Sequence, residues 1–185
     1  MFQGLVDPEG DPEVAALVVE FAQERWGRVS ALYGMLLHQP EVARAWLDLG
    51  SAIRKRTSLD DRIRELTICL VARVAGQGFE LEKHVPLALA AGATEEELDA
   101  LLDRGTCATF DARDRDLLDF AEHVARASVT EDVFRAAAAR FDPPVLVEIA
   151  TTVGYYLATA RFLDAFGIGE GAPGIVLPEA RTDVP

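Results

Sequence analysis

Residues 59–84, LDDRIRELTICLVARVAGQGFELEKH, decide the fold. Leu59, Ile63, Leu66, Leu70 and Val74 recur every three or four residues, the spacing of one apolar helix face. Ser58 and the Asp60-Asp61 pair supply start signals, and the helix is expected to run to about Ala75. Gly76-Gln77-Gly78 ends it, because glycine takes the left-handed conformation of a helix C-terminus at no steric cost. Phe79 to Ala91 reads as the next helix, closed by Gly92, with Pro86 expected to kink it. The stretch is therefore a helical hairpin folded on a glycine turn.

Helical punctuation continues outward. Asp11-Pro12-Glu13 places a capping aspartate before a first-turn proline and opens a run through Val14, Leu17, Val18 and Phe21. That run continues loosely through Trp26 to Leu36, with Gly27 and Gly34 as weak points. A helix over about 41–54 follows Pro40. Thr94 and Glu97 form a capping box for a short helix to about Leu102. Further helices are expected at 111–127, at 131–140 from Thr130, and at 143–166 from Asp142-Pro143, with Gly167 as the last cap. No stretch alternates with a period of two for the length of a strand. The expected fold class is all-α: one domain of about eight helices over residues 1–168, then an extended Pro/Gly-rich tail at 169–185. Residues 105–111 are the softest point between its halves.

Composition narrows the function. At 185 residues, 50% hydrophobic and 26% charged, the chain is globular rather than disordered. Charged residues interrupt every apolar run before the roughly 18–20 residues of a membrane span. No basic segment precedes an apolar one at the start, so no secretory signal is read and the cytoplasm is the expected compartment. Eighteen Lys+Arg stand against 31 Asp+Glu, a net charge of −13 that argues against nucleic-acid and anionic-membrane partners. Cys69 and Cys107 make no CxxC pair, which excludes a disulfide scaffold and a zinc finger, and both read as buried, inert thiols.

Chemistry concentrates in the hairpin. Glu80 and His84 are four apart, hence on one helix face, where a carboxylate fixes an imidazole's tautomer and raises its basicity. That is the pairing general acid–base catalysis uses. Glu65 lies one helix earlier, and the turn at 76–78 can return it to the same place. Spacing alone equally allows an ordinary surface pair and a solvated Glu65.

Glu65, eleven residues, Gln77, two residues, Glu80, three residues, His84 resembles the signature of the carboxymuconolactone decarboxylase and alkylhydroperoxidase D superfamily. Arg64, Leu66, Glu80, Leu81 and His84 match the decarboxylase spacing without a gap. Ala88 to Gly92 and Thr94 to Leu98 resemble its continuation, and Leu37-His38-Gln39-Pro40 its upstream His-Ser-Pro segment. Asp111 to Leu118, Val147-Glu148 and Gly154-Tyr155-Tyr156 resemble the C-terminal half of cysteine-free members of this length. In the peroxidase branch Gln77 and Glu80 are both cysteines.

The resemblance implies an AhpD-like helical fold, a homo-oligomer (trimer or hexamer) with pockets near subunit contacts, and a small-molecule substrate handled without cofactor or metal. His84 would be the general acid or base, Glu80 would orient it or act as a second carboxyl catalyst, and Glu65 would complete a relay. Gln77 or a tyrosine would stabilise a dienolate. Gln77, Phe79, Tyr155 and His38 are the expected substrate-lining residues. A low-pKa thiolate with a resolving partner is missing at the two positions that need one, so no thiol peroxidase activity is expected. The basic stretch Arg54, Lys55, Arg56, Arg62 and Arg64 suits either an anionic substrate or ion pairing. The rival to a decarboxylase-like lyase is a non-catalytic oligomer that binds a small molecule or partner.

Overall fold

Helix α4 (Asp61–Ala75) is the axis of the molecule, and its start and stop are local. The Asp60 carboxylate accepts the Arg62 and Ile63 amides at 3.0 and 3.3 Å, satisfying two of the donors a helix start leaves open. Gly76 ends the helix at φ 72°. Every residue from Ile63 to Ala72 is buried, which is more than one apolar stripe requires. The reason is that α5 (Gly78–Ala90), α6 (Glu95–Arg104), α7 (Ala112–Ala125) and α9 (Pro143–Phe166) all pack around it. Polar Arg64, Glu65 and Thr67 are thereby taken into the interior.

The computed structural model describes residues 4–7, 10–24, 28–104 and 109–176, so Trp26 and Cys107 lie outside the described residues. The remaining helices are α1 (Pro12–Glu24), α2 (Ala31–Leu36), α3 (Pro40–Lys55) and α8 (Glu131–Ala138), making nine among the described residues. The fold class is all-α. The Thr94–Glu97 capping box forms reciprocally at 2.9 and 3.1 Å, Thr130 caps α8, and Gly167 closes α9 at φ 65°. Helix α5 runs through Pro86 rather than ending there. No helix among the described residues is long and apolar enough to cross a membrane.

The N-terminal third departs from the expected loose helix to Leu36. Instead β1 (Arg28–Val29) separates α1 from α2 and pairs antiparallel with β2 (Ile175–Val176), Arg28 opposite Val176 and Val29 opposite Ile175. Two residues are too few to leave an alternating pattern. Gly174 makes the pairing possible, because a Cβ there would collide with the Val29 carbonyl.

Two apolar clusters result. One joins α4, α7 and α9, and the other joins α1–α3 with Phe79, Leu163 and Ile168. A cavity of about 500 Å³ opens between β1–α2, the end of α3, α5, α9 and the strap at 172–175.

Candidate active site

The hairpin brings three titratable side chains together in the interior. Glu65 and Glu80 are each 4% exposed and His84 is 6% exposed. His84 Nδ1 lies 2.7 Å from Glu65 Oε2. Its Nε2 lies 3.7 Å from Glu80 Oε2, an ion-pair separation beyond hydrogen-bond reach. Glu80 and His84 line the cavity, whereas Glu65 stands behind the imidazole, away from the lining.

Arg64 completes the arrangement. Its guanidinium donates to Glu65 Oε1 at 3.3 Å and to Asp61 at 2.6 Å. Burial by itself raises the Glu65 carboxyl. The hydrogen bond from His84 and the charges of His84 and Arg64 outweigh it and hold Glu65 below the usual carboxylate range. An ionised carboxylate only accepts, so Nδ1 carries a ring proton and donates it to Glu65, and Nε2 is the nitrogen at which a second proton is gained or lost. That nitrogen belongs to the cavity side. Among the described residues no three His, Cys, Asp or Glu side chains are arranged to hold a metal ion.

The tyrosines divide unequally. Tyr155 lines the cavity, but its hydroxyl donates to the Trp46 carbonyl at 3.2 Å and faces the Tyr33 hydroxyl at 3.3 Å. Burial, with Tyr33 beside it, pushes that phenol far above its ordinary range. Tyr156 is the tyrosine that meets His84, edge-on with ring centroids 5.1 Å apart. Tyr156 lines the cavity as well, beside the expected Tyr155, and the sequence reading did not single it out.

The other expected lining residues separate. Phe79 lines the cavity. Gln77 is buried outside it, where its Oε1 accepts the Phe79 amide at 3.1 Å and caps α5. Its amide nitrogen donates to Asp164 at 2.8 Å and ties the start of α5 to α9. His38 is exposed and meets the Gly4 carbonyl at 3.2 Å, so it is not brought to the cavity. The Cys69 thiol is fully buried, and burial, reinforced by the Glu65 and Glu80 charges, pushes it up to about 12.

The basic stretch also splits. Arg62 pairs with Glu97 and, at 2.6 Å, with Asp114, Arg64 serves Glu65, and Lys55 and Arg56 border a separate surface hollow. Arg54 alone of the five enters the cavity.

The model of the carboxymuconolactone decarboxylase family matches residues 40–123. Among solved structures, the chain is similar to an uncharacterized peroxidase-related protein from Silicibacter sp., with 21% identity, TM-score 0.77 and coverage of 97% of this chain and 91% of that one. An alkylhydroperoxidase AhpD core protein from Ralstonia eutropha, also peroxidase-related and uncharacterized, aligns at 20% identity and TM-score 0.75 over 89% of each chain. A cysteine-to-alanine variant of the debrominase Bmp8, in complex with 2,3,4-tribromopyrrole, aligns at 15% identity and TM-score 0.73 over 88% of each. No curated protein matches the sequence. At these identities the structural likeness concerns the fold.

Proposed function

Because the chain belongs to the carboxymuconolactone decarboxylase and alkylhydroperoxidase D-like superfamily, we propose that Glu65, His84 and Glu80 form a cofactor-independent acid–base centre acting on a small carbonyl or lactone-type acid. The observation that carries this reading is the 2.7 Å contact from His84 Nδ1 to Glu65, which leaves Nε2 beside Glu80 on the cavity side. A surface pair would be exposed and would not have its second nitrogen committed to a buried carboxylate.

In this reading Nε2 takes a proton from a carbon next to a carbonyl, and the C–H electron pair moves into the carbonyl to give an enolate. Glu65 and Glu80 flank the imidazolium that forms and stabilise its charge. Returning the proton to a different carbon completes an isomerisation. In the decarboxylase version, the C–C bond to a carboxylate breaks, CO₂ leaves, and the electron pair passes into the conjugated carbonyl. In this version the ring starts as the imidazolium, Nε2–H delivers its proton to the dienolate carbon, and the neutral imidazole left behind is reprotonated from solvent. The enzyme is a carbon–carbon lyase in that case.

Thiol peroxidase activity is not part of the proposal. Gln77 caps a helix and Glu80 is a carboxylate where that chemistry needs two thiols, and Cys69 is both buried and held protonated. The functional form is proposed to be a cytoplasmic homo-oligomer, trimer or hexamer. Neighbouring use of the fold to hold a compact planar ligand, tribromopyrrole in the debrominase, is in keeping with a cavity of this size.

Incubating carboxymuconolactone and related lactone acids with the protein in D₂O tests the reading, with solvent exchange and turnover followed by NMR. Exchange or CO₂ loss with wild type, abolished in His84→Gln, is the expected result. No exchange on any member of the panel, or equal rates in the variant, would overturn it in favour of a non-catalytic binding oligomer.

A further inference from the structure

Arg64 is 7% exposed and stands on α4 directly before Glu65, outside the cavity lining. Successive residues of a helix project about 100° apart, so such neighbours do not ordinarily face each other. Here the arginine folds back along the helix. Its Nε and Nη2 both donate to Glu65 Oε1 at 3.3 Å, and its Nη1 donates to Asp61 Oδ1 at 2.6 Å. The other oxygen of Glu65, Oε2, lies 2.7 Å from His84 Nδ1. The two carboxylate oxygens therefore have different partners, one on the guanidinium and one on the imidazole. A carboxylate held at both oxygens cannot turn about its last bond without breaking one of the two contacts.

The charges are arranged to the same end. The His84 ring has a carboxylate near each nitrogen, Glu65 at Nδ1 and Glu80 3.7 Å from Nε2. Two negative groups beside an imidazole favour its charged form, and a ring that stays charged cannot act as a base. Arg64 sets a positive charge against Glu65 at the oxygen the ring does not use. Asp61 has a side chain 74% exposed, so solvent screens its charge, and its contact steadies the far end of the guanidinium. The other titratable groups about the centre are the Cys69 thiol of α4, on which both carboxylates act, and the Tyr156 phenol of α9, edge-on to the ring. Arg28 of β1, Arg54 of α3 and Lys83 of α5 line the cavity beyond it.

We infer that Arg64 is a positioning residue of the acid–base centre: it holds Glu65 by the oxygen that His84 leaves unused, and its positive charge lets the imidazole alternate between its neutral and charged forms. That role deepens the proposed acid–base function and rests on it for the use of the alternation, though not for the contacts themselves. Because Arg64 is outside the cavity lining and acts through Glu65, it should govern how fast a bound substrate reacts rather than how tightly it is held.

NMR of the full chain across pH, with ¹⁵N in the histidine and arginine side chains, tests this without any substrate, and His84→Gln assigns the His84 ring signals. In wild type the Arg64 Nε–H signal should move at the same pH as those ring signals, because both groups lean on one carboxylate, whereas the Arg73 signal should not follow them. In Arg64→Gln the ring should keep its second proton to a pH about one unit or more above the wild-type midpoint. Arg64→Lys, which retains the charge, should return most of the way to wild type. On a substrate that turns over, Arg64→Gln should lower kcat about tenfold, the share of neutral imidazole that a one-unit displacement removes, with KM kept. An Arg64 signal indifferent to the His84 titration, an unmoved midpoint in Arg64→Gln, or an equal displacement in Arg64→Lys would overturn the inference. The wild-type comparison requires no variant to fold, so it decides the matter even if Arg64→Gln does not. An inert lactone panel beside the expected spectra defeats the catalytic reading and keeps the coupling of Arg64, Glu65 and His84. Turnover lost in His84→Gln beside an unmoved midpoint in Arg64→Gln defeats the role of Arg64 alone.

Discussion

Arg54 and Arg62 belong to one basic stretch of sequence, yet they come to rest in different settings. Arg62, in the first turn of α4, is saturated by Glu97 of α6 and Asp114 of α7 and so braces three helices. Arg54, in the last turn of α3, is set in the cavity wall with Tyr33, Tyr155 and Tyr156 beside it. An arginine given its counter-ions inside the chain holds the fold. One set in a cavity wall adds positive charge to the lining.

The sharpest way to break this contrast is at the centre of the cavity. His84→Gln keeps a donor for Glu65 but cannot take up a proton, and kcat/KM should fall by about 10²- to 10⁴-fold with little change in Tm. A large loss of Tm with modest loss of turnover would make His84 a structural residue like Arg62. Next in size, Arg62→Gln should cost about 1–3 kcal/mol in chemical denaturation, because Glu97 and Asp114 lose their partner, while turnover stays within a few-fold of wild type. Gly50→Ala should do both kinds of damage at about 1–3 kcal/mol, since its methyl collides with Tyr155 and Arg54 together.

A pH titration gives a smaller, signed effect. Glu65 is held below its ordinary value in the folded state. Its contribution to stability is thus present above the unfolded value of about 4.3 and is lost as pH falls through the lower folded value. Glu65→Gln should flatten the acid limb of stability against pH below about 4.5, and an unchanged limb would remove Glu65 from the ionised pair. Smallest of all is Cys69, whose thiol at about 12 should resist iodoacetamide at neutral pH until the protein unfolds, as peptide mapping by mass spectrometry would show.

What the sequence disclosed follows from the range of the forces involved. Caps are local, and so Thr94–Glu97, Thr130, Gly76 and Gly167 could be read where they stand. The Glu65–His84 contact was within reach because a short glycine turn constrains the hairpin. The contact of Tyr156 with His84 was not, because α9 is apolar around most of its circumference and its rotation is set by packing against α4. Likewise a run of arginines does not announce which member will find acids on α6 and α7. His38 and Gln77 looked like lining residues, but one ends up on a surface carbonyl and the other on a helix cap. The β1–β2 pairing depends on residues from opposite ends of the chain and leaves no local trace.

That pairing has a consequence for the order of assembly. The helices can pack from contacts made within 12–168, but the wall formed by Ala172 to Ile175 arrives only when the strap docks. Its fastenings among the described residues include the β1 pairing, the Gly171 amide on Glu82 at 2.8 Å, Glu170 lying over Gly78 at the start of α5, and the packing of Ala172 and Ile175 on the N-terminal apolar cluster. During synthesis the body can fold before the binding site is complete, because the wall residues Ala172 to Ile175 are made after α9.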